Sequence, residues 1–428
     1  MRVVVIGGGP SGFSAALVAK KVGAEVTVIE RTDMLGGLGL VGGIGLPGSW
    51  LTALNQERAL GGADLFDIFD SLATHKGIAL PNSDGVLLYN VTKLDSRMQE
   101  TLSNKKIGFM LCKKATDIEM SGNNVEAVIL ADGTKITGDA FIDATGTVAG
   151  TRACQKWAFG CVECIYRCPK FGDPGGIVEK RGKTFDVIGS DGKPGVIGGS
   201  VIIAKKSLST KVQQELSENG FIAIPVPQGV KPDTARYLRS GFSKATYPDQ
   251  EIMKQNIILL DLGTLVVTAG ASSPLYAGSL RSFSGLENAA IIQPSAGERG
   301  QLIHGIAMAL RNNSLKVDGF DNLFCAGPKA GEAICFLDVV ITGDLAGYNA
   351  VRNCLGQSCL ELPNNLVAGA YINHVGQAVR SGKSVEKGYQ AVMQIELLKG
   401  LNVYKEGAEI IEEVEKTGLM GIYTTKLC

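Results

Sequence analysis

The sequence predicts an α/β protein built on a doubly wound parallel sheet, with an α+β second domain inserted into it and a helical tail at the C-terminal end. Three observations lead there. A βαβ unit opens the chain, strand and glycine signals return after residue 300, and the stretch between them is irregular and rich in Gly, Pro and Ser. The 428 residues exceed what one compact core usually holds. The expected organisation is a sheet domain in two parts, 1–150 and 299–360, around an insertion at 151–298, with a tail over 361–428.

"RVVVI" is a β-branched run that ends at glycines, "GFSAALVAKKVG" carries apolar residues at helical spacing and stops at Gly23, and "AEVTVIE" is a second strand. The glycine-rich loop "LGGLGLVGGIGLPGSW" follows, then helix-like stretches around Trp50 to Leu60 and Leu65 to Thr74. "TKLDSRMQETLSNKK" reads as a helix, and "IGFMLC", "ATDIEMSG", "VEAVILADG" and "AFIDATG" as strands of one meander punctuated by turns. After Gly300 the pattern gives a helix over "QLIHGIAMALRNN", a strand over "NLFCAG" and a glycine-studded helix over "LDVVITGDLAGYNAVRN". Neither an internal repeat nor a low-complexity segment is visible.

Composition narrows the function classes. With 42 basic and 42 acidic side chains the formal charge is zero, so nothing draws the whole chain to nucleic acid or an anionic membrane. The greasiest stretch, "NIILLDLGTLVVTAGA", is interrupted by Asp261 and falls short of the roughly 20 apolar residues a membrane span needs. "MRVVVIGGGPSG" enters a strand directly, without the pattern of a secretory signal, so a cytoplasmic protein is expected. Ten cysteines in such a chain point to metal or redox chemistry before a disulfide framework.

Gly7, Gly9 and Gly12 form G-x-G-x-x-G between strand and helix. The first permits a tight turn, the second lets backbone approach a pyrophosphate, and the third lets helix pack on strand. The helix N-terminus offers N–H groups to phosphates, and Glu30, 23 residues after Gly7, is placed to bond a ribose hydroxyl. Strand, helix and acid together indicate a dinucleotide site. The segment "VIERTDMLGG" with its glycine loop, the strand ending "FIDATG", and "NLFCAGPKAGE...ITGDLAGYNA" resemble the three FAD motifs of the FAD-dependent oxidoreductases with a glutathione-reductase-like, Rossmann-like FAD domain. That resemblance covers about 1–150 and 300–355. It implies FAD held by Gly7, Gly9, Pro10, Ser11, Gly12, Glu30, Arg31, Gly36, Gly37, Ala144, Thr145, Gly146, Gly327 and Gly331. A helix N-terminus around Gly331 would favour the negative charge of reduced flavin, and hence two-electron transfer. No second glycine motif marks a separate NAD(P)H module, which leaves a small-molecule substrate or surface-docked NAD(P)H as the redox partner.

The run "FGCVECIYRCPKFG" carries Cys161, Cys164 and Cys168, with Cys154 upstream. Its C-x6-C-x2-C-x3-C-P spacing shares three cysteines and the proline with the ferredoxin run and departs from it at Ala158. A [4Fe-4S] cluster on Cys154, Cys161, Cys164 and Cys168 is the preferred account, with Cys112 or Cys325 as substitutes for Cys154. Structural zinc and buried or redox-active thiols are the alternatives. Of the three histidines, His304 is expected in an apolar helix, while His75 and His374 look superficial. Lys329 and Glu332 flank the third motif within reach of flavin or substrate, or are simply solvated.

The leading expectation is a flavoenzyme whose FAD exchanges two electrons with a small substrate, while the cluster passes single electrons to a protein carrier such as a ferredoxin. The N-terminal motif and the "AG...ITGDLAGYNA" ending are also similar to the folate- and FAD-dependent tRNA uridine methyltransferases and their uridine-modifying relatives. Those rely on a cysteine that "GGIGLPGSWLTAL" lacks, and Lys231, Arg236, Arg239 and Lys244 make only a modest basic patch, so nucleic acid ranks below redox partners. An electron-transfer subunit without its own substrate is the third reading, its helical tail serving as a docking surface or a homodimer contact.

Overall fold

The computed structural model describes residues 1–37, 39–46, 51–80, 83–146, 177–180, 184–186, 196–198, 201–231, 255–268, 277–292, 302–304, 307–331, 336–380 and 408–428. The chain opens with β1 (Arg2–Ile6), α1 (Pro10–Lys21) and β2 (Glu25–Ile29), then α2 (Gly39–Gly42), β3 (Ile44–Leu46), α3 (Leu51–Leu60) and α4 (Asp64–Ser71). There follow β4 (Ala73–Leu80), β5 (Ser83–Tyr89), α5 (Leu94–Asn104), β6 (Gly108–Met110), β7 (Ala115–Ser121), β8 (Asn124–Leu130), β9 (Lys135–Thr137) and β10 (Ala140–Asp143). Next come α6 (Ile177–Lys180), β11 (Thr184–Asp186), β12 (Val196–Gly198), β13 (Ile202–Ala204), α7 (Thr210–Asn219), β14 (Phe221–Pro225), β15 (Asn256–Asp261) and β16 (Leu265–Thr268). The last elements are β17 (Leu302–His304), β18 (Ala307–Ala309), β19 (Leu323–Cys325), α8 (Phe336–Cys354), α9 (Val367–Arg380) and α10 (Ala408–Lys416).

The central sheet is parallel, in the order β19-β10-β1-β2-β6. Val3 to Ile6, Phe141, Ile142, Leu323 and Phe324 are all buried, as expected of strands covered on both faces. One face is covered by α1 and α8, which pack closely because glycine lets their backbones meet: a Cβ on Gly347 would overlap the Ala15 carbonyl. Around this sheet stand three antiparallel ones, β3-β5-β4, β7-β8-β9 and β13-β16-β15-β14, and the pairs β11-β18 and β12-β17.

Two expectations are corrected. The stretch read as a helix over "QLIHGIAMALRNN" contains strands β17 and β18, which pair antiparallel with β12 and β11. Apolar residues there are dense enough to satisfy either period, and the ladder comes from partners more than a hundred residues earlier, which no local window contains. His304 accordingly sits in a strand and not in an apolar helix. The four strands read as one meander also divide: β7 joins β8 and β9, while β6 and β10 enter the parallel sheet. Burial tells them apart, since β10 is buried at every position and β7 alternates irregularly with partly exposed residues.

Candidate functional site

Parallel register brings the carboxyl ends of four strands to one level: Ile29 pairs with Ile6, Ile6 with Asp143, and Asp143 with Cys325. The residues just beyond them, Glu30, Gly7, Ala144 and Ala326, therefore form a row along the sheet edge. Backbone hydrogen bonds fix that row. Gly7 N donates to Ile29 O at 2.7 Å, Ala144 N to Ile6 O at 2.8 Å, and Ala326 N to Asp143 O at 3.0 Å. In open α/β sheets this edge is where ligands bind.

The glycines of the first motif occupy three different environments. Gly7 has φ +106°, a left-handed turn. A Cβ on Gly12 would overlap the Gly7 carbonyl oxygen, so turn and helix touch there. A Cβ on Gly9, by contrast, would meet nothing within 4 Å among the described residues. That opening lies at the start of α1, whose N-cap is Gly9 itself and supplies no side-chain acceptor for the first-turn N–H groups. Pro10, Ser11 and Gly12 are buried behind it. The arrangement suits a pyrophosphate: space on one side, unclaimed donors and the positive helix end on the other.

Glu30 is buried, and its carboxylate binds the loop. Oε2 accepts from Gly8 N at 2.8 Å, and Oε1 from Thr32 N at 2.8 Å and Thr32 Oγ1 at 2.9 Å. Arg31 is exposed beside it. Gly36 N donates to Gly8 O at 2.9 Å, and a Cβ on Gly37 would lie 3.3 Å from Gly9 Cα, so the second loop closes against the first. Thr145 N and Oγ1 donate to Asp143 Oδ1 at 3.1 and 2.7 Å, and a Cβ on Gly146 would meet nothing within 4 Å among the described residues. Gly327 N donates to Thr342 Oγ1 at 2.9 Å, and a Cβ on Gly327 would press on Ser11 Oγ at 2.7 Å. Gly331 closes the short turn 327–330 with φ +100°. Segments 7–12, 30–37, 143–146 and 327–331 thus converge, although about 320 residues separate the outermost two by the numbering.

Lys329 is fully buried and not solvated. Burial pushes its ammonium down to about 8, while the nearby Asp143 carboxylate pulls the other way. Sequence reasoning passed over Asp143 as a charge, since the strand end "FIDATG" drew attention to its glycine and threonine. Glu332 and the side chain of His304 lie outside the described residues. His75 is not superficial: its Nε2 lies 3.0 Å from Asp261 Oδ2, an oxygen that also accepts from Lys205 Nζ at 2.8 Å. His374 is partly buried, and burial lowers its pKa.

Cys154, Cys161, Cys164 and Cys168 lie outside the described residues. Among the described residues no group of three or more His, Cys, Asp or Glu is disposed to hold a metal. Of the two substitutes, Cys112 is exposed, and Cys325 is buried in β19 with its thiol 3.6 Å from Leu315 O. No helix among the described residues is long and apolar enough to cross a membrane.

Residues 2–149 match the family model described as FAD dependent oxidoreductase, and residues 263–358 match that of Glucose inhibited division protein A. No curated protein matches the chain significantly in sequence. Among solved structures, GidA of Aquifex aeolicus in one crystal form superposes with a TM-score of 0.65 at 17% identity, covering 97% of this chain and 76% of that one. A second form gives 0.63 at 16% identity, covering 97% and 78%. A triple mutant of the flavin-dependent brominase Bmp2 gives 0.50 at 13%, covering 97% and 98%. At such identities the likeness is one of fold. Taken with the family match over residues 2–149, it shows the fold, a Rossmann-like domain of the glutathione-reductase-like FAD type.

Proposed function

We propose that FAD lies along the row at the sheet edge, with its pyrophosphate at Gly9 and the start of α1 and its adenosine ribose at Glu30, and that the chain uses it for two-electron redox chemistry on a small substrate or NAD(P)H. The observation that carries this is the opening at Gly9 beside an uncapped helix start, flanked by the buried acid. A carboxylate has about four acceptor positions. Three on Glu30 are used by Gly8 and Thr32, so one is left for a ribose hydroxyl. Bound there, the flavin supplies hydride or electron transfer; the protein binds and orients it and holds it against the helix end.

The finer part of the reading gives Cys154, Cys161, Cys164 and Cys168 a [4Fe-4S] cluster that exchanges single electrons with a protein carrier. It rests on the cysteine spacing alone. A second reading, a tRNA uridine-modifying flavoenzyme, draws support from the Glucose inhibited division protein A match over 263–358 and from the fold likeness to GidA. Iron and acid-labile sulfide analysis of anaerobically purified protein separates the two. The cluster reading expects both in the wild type, and their loss with FAD retained in Cys161→Ser, Cys164→Ser and Cys168→Ser. Iron-free and sulfide-free wild type would reject it, and flavin-dependent modification of added tRNA would establish the second.

A further inference from the structure

The order of the sheet gives the riboflavin half of the cofactor a direction in which to lie. Sheet order puts β2 and Glu30 on one side of the Gly7–Gly12 loop and β10 and β19 on the other. With the ribose at Glu30, as proposed above, the other half runs across the ends of β10 and β19. Among the described residues, two buried charges stand at the strand ends on that side. Asp143 ends β10, and Lys329 stands in the turn that follows β19, both with no exposed surface. Other buried charges among the described residues lie nearby. Arg311, also buried, donates from Nε to Ala330 O at 2.8 Å and from Nη2 to Ile372 O at 3.3 Å, and Asp338 accepts from Tyr371 at 3.3 Å. Asp143 Oδ1 is taken by Thr145, and its Oδ2 is buried with no hydrogen bond among the described residues, free to balance the lysine by charge.

Stability alone gives little reason for two such buried charges of opposite sign. A buried ion pair replaced by apolar groups of similar size is often neutral or stabilising, because two charges have lost their water. A charge kept at that desolvation cost beside a cofactor whose own charge changes on reduction has a physical use. In a water-poor site its field reaches the cofactor with little screening.

We propose that Lys329 is a positioning residue for charge on the riboflavin side of the cleft, and that it and the buried Asp143 set the reduction potential of the bound flavin. The lysine favours the more negative, reduced cofactor, and the aspartate opposes it. The inference rests on the FAD reading, and the test keeps the two apart. The two-electron midpoint of bound FAD is measured by dye equilibration in wild type, Lys329→Met, Asp143→Asn and the double variant. Lys329→Met is expected to disfavour reduction at least tenfold, which for a two-electron couple is about 30 mV downward. Asp143→Asn is expected to move the midpoint upward, and the double variant to lie between the single ones. Opposite signs are a signature that loosened packing would not produce. Wild type without FAD rejects the FAD reading. FAD bound in every protein, with midpoints within twofold of wild type, overturns the role of Lys329 and leaves FAD binding intact. Should Lys329→Met fail to hold flavin, a midpoint not raised in Asp143→Asn overturns it as well.

Discussion

Glu57 on α3 and Asp344 on α8 are both buried, and a Cβ on Gly62 would crowd an oxygen of each. Burial and the neighbouring Asp344 raise the Glu57 pKa well above the ordinary range. Burial likewise pushes Asp344 up to about 7, with the Ala63 N–H, 2.8 Å from Oδ2, acting against it. Two such carboxyls cannot both ionise cheaply, so they hold a proton between them. Their folded pKa lies above the unfolded one, so this stability is complete below about pH 4 and is lost as pH rises through about 7. Glu57→Gln keeps the shape and removes one ionisation. It is expected to stabilise the protein at pH 8 by about 1–2 kcal/mol and to leave pH 4 nearly unchanged. Denaturant melts at both pH values check this, and equal effects at the two would refute the shared proton. Nothing in the sequence announced the pair, because the two acids stand 287 positions apart by number and only folding brings them together. The position of an acid just after β2 was legible, because Glu30 lies within the local βαβ pattern; its bonds to Gly8 and Thr32 were not read from the sequence.

At the scale of elements, α1 and α8 show what local pattern can and cannot reveal. The glycines of "ITGDLAGYNA" were visible as punctuation in a helix, where each costs about 1 kcal/mol relative to alanine. Their reason is tertiary: Gly343 faces the Ser11 carbonyl and Gly347 the Ala15 carbonyl, with no room for a side chain. Gly347→Val would force the helices apart and is expected to cost about 3 kcal/mol or more. A urea midpoint that did not fall would contradict this account of the packing. Elements whose period and boundaries are local, such as β1, α1, β2, α5 and α8, were readable. Hairpin β4–β5 went unread because its register shifts break the alternation, and β17 and β18 were misread because their partners are remote.

On the scale of the whole molecule, the parallel sheet is closed from both ends of the chain. β19 pairs with β10 after an excursion of about 180 residues by the numbering, and so completes the row of strand ends. The tail is tied to the same body: Gly421 N donates to Ala59 O at 2.8 Å, Tyr423 N to Leu60 O at 2.9 Å, and Leu427 N to Val22 O at 2.9 Å. The glycine motif was legible because turn, approach and packing each demand the same residue at fixed offsets. The convergence of 143–146 and 327–331 on it was legible only through resemblance, since no spacing rule joins segments that far apart. Flavin release tests the central claim most directly. Acid precipitation of purified protein, followed by chromatography, is predicted to yield about one FAD per chain, and none from Gly9→Trp, whose ring would fill the pyrophosphate's space. Recovery of FMN alone, of no flavin, or of undiminished FAD from the Gly9 variant would contradict it.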